Sequence, residues 1–463
     1  MREIKSVCKE CRDFGLACPD GKKCEPIRNI EPRSYSGIRH TADGFDCALP
    51  VAIDSHSTCA YECLYCFSDN ILNHKNKQDR FGQTSLKTIE NIFKDKTLQE
   101  KSHWHIKKAL KYDNRNKNGF PCPVQLGALC DSCDSIEQNE GWLLEFIDLA
   151  IKYEQPVRIS TKGGVFLIPE YLNKLKKAPH LFWVAYSTIT DDDEMLKKVD
   201  RYATTATQRI QSVKNLTNIG VKTSLRLRPI MLGITDKNNA YERLINKFAD
   251  AGSIAVSCEV GFYPQAIPNA NKWKWELLSQ ISGYDLKKIY SSFGKKQACT
   301  RPSYLWTENI MHRIAEITKE RGMTLGVSDP VWKQLGETGC CCGIKQEDEV
   351  FGNWETENAT NALLNAKKTG KNIYFKDIVP EWSKTCLSAS MVNPGAGPTV
   401  LYRVNHETWE DVLRSTWNDI GKQRSPMNYF QGALQPNGFD ENNDRIYIYK
   451  GLDRKYLKTQ WKV

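Results

Sequence analysis

The chain has 463 residues, of which 40% are hydrophobic and 26% charged, and its mean hydropathy is −0.54. That composition excludes collagen-like, coiled-coil and wholly disordered chains, and no run approaches the ~18 uninterrupted apolar residues of a membrane helix. Lys and Arg number 65 against 55 Asp and Glu, a surplus of 10 that favours a polyanionic partner.

The N-terminus, Met1-Arg2-Glu3-Ile4-Lys5, leads into no apolar segment, so a secretory signal is not expected and the protein reads as cytoplasmic. In a reducing compartment, 17 cysteines point to metal ligation or redox chemistry rather than disulfides. Residues 1–48 read as a cysteine-rich N-terminal segment, either a small metal-held lobe or a wrapped arm. Within it Cys8, Cys11, Cys18 and Cys24 stand close in sequence. Four such thiolates suit tetrahedral zinc or an iron–sulfur cluster, and the alternative is an arm with free thiols.

From 49 to 335 short apolar runs alternate with amphipathic stretches. The expected strands are Leu49–Asp54, Val124–Leu129, Val157–Thr161, Phe182–Ile189, Thr223–Ile230, Ile254–Val260 and Thr324–Val327. Between them Leu143–Tyr153, Thr207–Ile219, Tyr241–Ala251 and Asn309–Arg321 carry helical periodicity. This alternation implies an α/β fold with a parallel sheet, open or closed into a barrel. Residues 336–463 form a C-terminal extension that loses the rhythm, apart from a period-two run at Arg445–Lys450 that reads as one more strand.

The first of these strands leads into Cys59-x3-Cys63-x2-Cys66, with Tyr65 just before the last cysteine. Three thiolates on a short loop can hold three irons of a 4Fe-4S cube and leave the fourth iron free to chelate a small molecule. The alternatives are a zinc site, for which His56 is the only close histidine, or three buried cysteines. The motif resembles the signature of the radical S-adenosylmethionine (SAM) superfamily. That resemblance implies a partial (β/α)6 TIM-type barrel, a 4Fe-4S cluster, and SAM bound through its amino and carboxylate groups. It further implies cleavage of SAM to methionine and a 5′-deoxyadenosyl radical, with a reductase or flavodoxin as electron donor.

Downstream, Leu126–Asp131 with Glu137, Ser160-Thr161-Lys162, Tyr186–Thr190, Arg209 and Arg228–Asp236 follow in order. The ordered set is similar to the spore photoproduct lyase-like branch over about 49–260. By that resemblance Lys162 contacts the SAM carboxylate, Ser187 the ribose or methionine part, and Tyr65 packs near the adenine. A cysteine in the loop after the second strand returns hydrogen to the product radical, and Cys130 and Cys133 both stand there. Phe67 departs from the tyrosine that the family tends to place after the last cluster cysteine. A related reaction, such as modification or rearrangement at a nucleobase, is therefore expected rather than photoproduct repair itself.

Cys340, Cys341 and Cys342 follow the last expected strand, with Cys386 beyond. With Cys386 and Cys299 they read as an auxiliary cluster or as small buried residues. Cys47, Cys122 and Cys258 read as core. His103 and His105 form the closest histidine pair, without metal spacing. Arg226 with Arg228, Lys107-Lys108, Lys295-Lys296 and Arg454-Lys455 read as solvated surface or as a groove for phosphates. Lys272-Trp273-Lys274-Trp275 could stack on bases or pack between elements. The leading expectation is a radical SAM enzyme acting on a nucleobase in DNA or on a nucleotide. The alternatives are radical modification of a peptide, protein or amino-acid-like group, and a non-enzymatic zinc-binding nucleic-acid module.

Overall fold

Seven strands rich in apolar residues lie side by side in chain order in the computed structural model. It describes residues 33–35, 37–40, 49–66, 68, 82–94, 104–110, 116–264, 272–291, 299–300, 302, 304–352, 357–384, 408–422 and 424–453. The sheet runs from β1 (Ile38–His40) and β2 (Val51–Ile53) through β3 (Val124–Leu126), β4 (Val157–Thr161) and β5 (Phe182–Ser187). It continues through β6 (Lys222–Ile230) and β7 (Ala255–Val260) to β8 (Thr324–Val327). Only β1 pairs antiparallel, with β2; every later neighbour is parallel. The order is that of a barrel wall wound in one direction, with one parallel strand more than a six-fold barrel.

Helices Trp142–Lys152 (α1), Ala206–Asn218 (α2), Ala240–Asp250 (α3) and Tyr304–Glu320 (α4) fall where the periodicity expected them. In α3 the buried residues Tyr241, Leu244, Ile245 and Phe248 recur at helical spacing and form one stripe. Thr205 starts α2 with a reciprocal capping box through Gln208, which satisfies two otherwise orphaned backbone donors.

The parallel strands are two-faced. Register places Val157, Ile159, Phe182, Val184, Leu225, Leu227, Val256, Cys258, Leu325 and Val327 in the main core under the helices. The opposite face carries Gln125, Arg158, Ser160, Ser187, Ser224, Arg226, Arg228, Ser257 and Glu259. Because successive strand residues point to opposite sides, the same run that builds the core also lines a polar interior. Cys122 and Cys258 are fully buried in the core, as expected.

The turn Gly339–Gly343 packs into that interior. A Cβ on Gly326 of β8 would lie 2.3 Å from the Gly343 nitrogen and 2.7 Å from the Cys341 carbonyl carbon, so only glycine admits the turn. The Cys341 carbonyl accepts hydrogen bonds from Arg228 Nη2 and Ser257 Oγ, both at 2.8 Å.

Beyond the sheet, helices Ala359–Thr369 (α5) and Trp409–Asn418 (α6) pack with the hairpin β9 (Leu434–Phe439) and β10 (Arg445–Tyr449). Leu363, Phe375, Trp417, Phe430 and Tyr447 form a separate buried cluster there. Beyond residue 336, Cys340, Cys342, Ile344, Val350 and Phe351 still pack in the main core, and the separate cluster starts at Ala359. Among the described residues no helix is long and apolar enough to cross a membrane. Cys8, Cys11, Cys18, Cys24, Cys47, Phe67, His103 and Cys386 lie outside the described residues. Lys295, Lys296, Arg454 and Lys455 do as well.

Glu137 ties the loop after β3 to helix α1. Its carboxylate accepts from the Leu143 backbone N–H and the Tyr171 hydroxyl, each at 2.8 Å. Burial pushes its pKa up to about 7, although those hydrogen bonds and the nearby His56 pull the other way. The folded chain therefore keeps a proton at pH values where the unfolded chain has lost it. This group's contribution to stability is complete below the ordinary glutamate value and is lost as pH rises through about 7. Glu137→Gln should flatten the fall in stability between about pH 5 and pH 8 by roughly 1–3 kcal/mol in urea denaturation. An unchanged slope would assign the pH dependence to another group.

Candidate active site

The loops after β2, β3, β4 and β5 meet at the carboxyl ends of the strands, and buried carboxylates tie them together. Asp54, at the end of β2, accepts the backbone N–H groups of Ala128, Leu129 and Cys130 at 2.8, 2.8 and 3.2 Å, and pairs with Arg39. Asp134 accepts from the Ala60 backbone at 2.9 Å and from His56 Nε2 at 3.3 Å. Asp131 takes the Cys133 N–H at 2.9 Å, the Thr161 hydroxyl at 2.9 Å and the Lys162 N–H at 2.7 Å. Burial raises the Asp131 pKa to about 6 against the pull of these hydrogen bonds. A carboxylate with two oxygens and several lone pairs suits this role, because it can satisfy backbone donors from two loops at once.

The thiol loop is anchored by Tyr61, whose hydroxyl donates to the Cys133 carbonyl at 3.0 Å, and by the Leu64 N–H on the Val199 carbonyl at 2.9 Å. Beside it Lys162 Nζ donates to Cys63 Sγ at 3.1 Å, to the Tyr65 hydroxyl at 2.9 Å and to Asp200 Oδ1 at 3.1 Å. An ammonium has three hydrogens, so all of its donors have acceptors within the chain. Its charge also lies 4.6 Å from the Tyr65 ring centre. The Tyr65 hydroxyl donates to Asp200. Asp200 Oδ2 in turn accepts from Arg209 Nη1 at 2.8 Å, and the same guanidinium nitrogen donates to the Ser187 carbonyl at 2.6 Å. Burial would raise the Asp200 carboxyl, but Lys162 and Arg209 hold it down to about 2. Burial likewise pushes the Cys63 thiol up, with Asp200 adding to it and Lys162 opposing.

A cavity of about 150 Å³ lies over this network. Cys59, Cys63, Cys66, Tyr65, Cys130, Lys162 and Ser187 all line it, together with Arg226, Arg228 and Glu259. The Ser187 hydroxyl accepts from Arg226 Nη1 at 3.1 Å, and Cys130 Sγ lies 3.6 Å from Ser55 Oγ. Cys133 is fully buried and off the wall; its carbonyl would be 2.0 Å from a Cβ on Gly163. A larger cavity of about 570 Å³ lies among Phe375, Arg414 and Asp444, lined by no cysteine among the described residues, and its Arg414 is already paired with Asp444 and Glu410.

The sequence leaves the three-cysteine turn as an auxiliary cluster or as small buried residues, and its thiols hydrogen-bond one another, Cys342 with both Cys340 and Cys341. Here Cys340 and Cys342 are buried in the main core and Cys341 is half-buried against the inner face of the sheet. Cys299 belongs to a short strand paired with Tyr263–Pro264. Trp275, read as a base-stacking candidate, packs instead on Tyr263 with ring centres 4.7 Å apart, while Trp273 is 40% exposed. Asp54, Asp134 and Asp200 went unread, since an isolated aspartate carries no spacing signal. Arg226-Leu227-Arg228 did carry one: on a strand, residues two apart share a face.

Among the described residues no group of three His, Cys, Asp or Glu converges as a single metal ion requires. A cube is different, because each thiolate meets its own iron at a separate corner. Three thiols on the wall of one cavity, beside a buried cation that offsets thiolate charge, fit that group.

No family model matches the chain, and no curated protein matches it. Among solved structures, a spore photoproduct lyase mutant with bound AdoMet and dinucleoside spore photoproduct superposes with a TM-score of 0.42 at 13% identity, over 70% of this chain and 86% of that one. A second spore photoproduct lyase mutant gives 0.43 at 14% identity over the same shares. The radical S-adenosylmethionine methyltransferase TsrM from Kitasatospora setae, with tryptophan substrate and a SAM analogue bound, gives 0.37 at 10% identity, over 68% of this chain and 57% of that one. Likeness this distant carries no argument about the reaction, which rests on the site's own residues.

Asp200 and Arg209 are both fully buried, and Lys162 nearly so. Asp200→Ala leaves two cations without their counter-charge and should cost roughly 3–5 kcal/mol of folding stability in denaturant titration. Asp200→Asn, which keeps the shape without the charge, should cost a similar amount. A loss below about 1 kcal/mol for both would mean that the three groups are not coupled.

Proposed function

We propose that this chain is a radical SAM enzyme whose reaction centre is the cavity at the carboxyl ends of β2–β6. The observation that carries the reading is the presence of Cys59, Cys63 and Cys66 on one cavity wall, with Lys162 hydrogen-bonded to Cys63. When bound, a 4Fe-4S cluster with SAM supplies a 5′-deoxyadenosyl radical able to take a hydrogen atom from a substrate carbon.

The protein's part is to hold, orient and exclude. Cys59, Cys63 and Cys66 hold the cluster. Lys162 keeps positive charge beside the Cys63 sulfur, and Asp200 with Arg209 keeps that ammonium in place. Tyr65 and Ser187 line the cavity, and the Tyr65 ring, whose hydroxyl is held by Asp200 and Lys162, is the part left to pack on the cofactor. The Ser187 oxygen already accepts from Arg226, so its own O–H is the group left to donate. Cys130 is the cavity-facing thiol of the pair after β3, and it can return a hydrogen atom to a substrate radical by giving up its S–H bond. Cys133 is fully buried and does not line the cavity, which assigns it to packing rather than to hydrogen transfer. Enclosure by loops tied through Asp54, Asp131 and Asp134 limits side reactions by fixing which C–H bond lies near the reacting centre. The basic surplus and the arginines on the wall favour a nucleobase or nucleotide substrate over a peptide.

Anaerobically reconstituted protein with dithionite should convert SAM to 5′-deoxyadenosine, measured by liquid chromatography. Replacing Cys59, Cys63 and Cys66 together with Ala should abolish the product and remove about four irons per chain. Turnover that survives the triple replacement would sink the assignment. Iron that survives it would belong to the flanking cysteines, Cys8, Cys11, Cys18, Cys24 or Cys340–Cys342 with Cys386.

The two thiols after β3 give a separate check. Cys130→Ala should leave SAM cleavage intact and change the product formed from substrate, while Cys133→Ala should leave the product unchanged. The reverse pattern, read by mass spectrometry, would move the hydrogen donor to Cys133.

A further inference from the structure

Three guanidinium groups meet on the polar inner face of the sheet, and the chain leaves most of their charge unanswered. Arg226 and Arg228 come from β6 and line the cavity; the thiol loop follows β2, four places away along the sheet. Arg158, on β4, is 2% exposed and sits behind the wall. It donates Nη1 to Gln125 Oε1 at 2.6 Å and to Ser160 Oγ at 3.0 Å. Its Nε and Nη2, and Nε of Arg228, are buried without a hydrogen-bond partner among the described residues. Among the described residues the one carboxylate on this part of the wall is Glu259, 3.7 Å from Arg228 Nη1.

Buried donors without acceptors are costly, and crowded like charges more so. Burial pushes the Arg226 guanidinium down to about 10, and the charges of Arg228 and Arg158 push the same way. On the thiol side Lys162 and Arg209 share one carboxylate, Asp200, and Arg209 Nη2 is likewise buried without a hydrogen-bond partner among the described residues. The cavity thus has one end where two cations share a carboxylate and another where three guanidiniums share Glu259 among the described residues.

We propose that the arginine end binds the phosphate monoester of a small substrate, with Arg226 and Arg228 as direct ligands and Arg158 supplying charge from behind. This rests on the cavity being the reaction site. The charge count selects the ligand. Three guanidiniums against one carboxylate leave two positive charges, and a phosphate monoester carries about −1.5 to −2 at neutral pH. A DNA phosphodiester brings only one charge per phosphate, and a carboxylate likewise only one. Planar guanidiniums also match phosphate oxygens two at a time, which a lysine ammonium cannot do. The Ser160 hydroxyl, also on this wall, is placed to add a hydrogen bond.

The test is equilibrium competition on the full-length, anaerobically reconstituted chain with SAM present. The probes are thymidine 5′-monophosphate, ribose 5-phosphate, inorganic phosphate, thymidine, a short single-stranded thymidine oligomer, and acetate. The two phosphate monoesters and phosphate should compete for one site, while thymidine and acetate should not displace them. A nucleotide source is indicated if thymidine 5′-monophosphate binds at least tenfold tighter than ribose 5-phosphate, and a sugar-phosphate source if the two are equal. Arg226→Gln and Arg228→Gln should each weaken phosphate binding at least tenfold, with circular dichroism and cluster absorbance reporting that the variants are folded. If either fails to fold, the wild-type competition series decides alone. Acetate competing as well as phosphate, the oligomer binding tighter than the monoesters, or variants that bind like wild type would each overturn the proposal. Phosphate binding without SAM cleavage would discard the proposed reaction and leave this site standing; SAM cleavage without monoester binding would do the opposite.

Discussion

Two-faced strands are the constraint on which the rest depends. Each parallel strand must bury one side under helices, and the pleat then dictates that its alternate residues face inward. Val157 and Ile159 serve the core, so Arg158 and Ser160 must face the interior. Leu225 and Leu227 serve the core, so Arg226 and Arg228 share the inner wall. The hydrophobic effect thus positions the charged groups without contacting them. A shift of one residue in register would turn arginines into the helix layer and leucines into the cavity.

Charge inside such a fold has to be settled locally. At the thiol end one carboxylate, Asp200, takes Lys162, Tyr65 and Arg209, the ammonium lies against Cys63, and Arg209 Nη2 is left without a hydrogen-bond partner among the described residues. Around it Asp54, Asp131 and Asp134 spend their lone pairs on backbone N–H groups from neighbouring loops. These aspartates act as fasteners, and they make the loop ends of separate strands one rigid rim. At the arginine end the settlement is partial. The Cys341 carbonyl, Gln125 and Ser160 take some guanidinium hydrogens, and others are left.

The turn of three cysteines joins close-set thiols to a structural backbone. Its thiols hydrogen-bond one another, and its backbone makes close contacts with the sheet. Its carbonyl at Cys341 caps Arg228 and Ser257, and its glycines allow it to lie against β7 and β8. Cys340 and Cys342 are buried in the main core, where cysteine is often found. The C-terminal unit beyond it has its own aromatic cluster around Trp417 and Tyr447, with ring centres 4.8 Å apart. Its hairpin strand Leu434–Phe439 contains Pro436, Asn437 and Gly438, residues that erase the alternation by which a strand is read.

Strand and helix order, the parallel sheet and the thiol loop after the first parallel strand were all legible in the sequence, because each depends on short-range spacing. A period of two or 3.6 residues, or three cysteines within eight positions, survives in a linear string. So did the shared face of Arg226 and Arg228, although not what faced them. Tertiary structure alone decided that Cys130 rather than Cys133 lines the cavity, because their separation is set by the Asp131 turn and the Gly163 backbone. It alone joined Lys162 to Cys63 and Asp200, residues 99 and 38 positions away. It also brought Arg158 close enough for its charge to act on Arg226. Charge balance is a property of distance in space, and no local pattern in a chain encodes the distance between residues brought together only by the closing of the sheet.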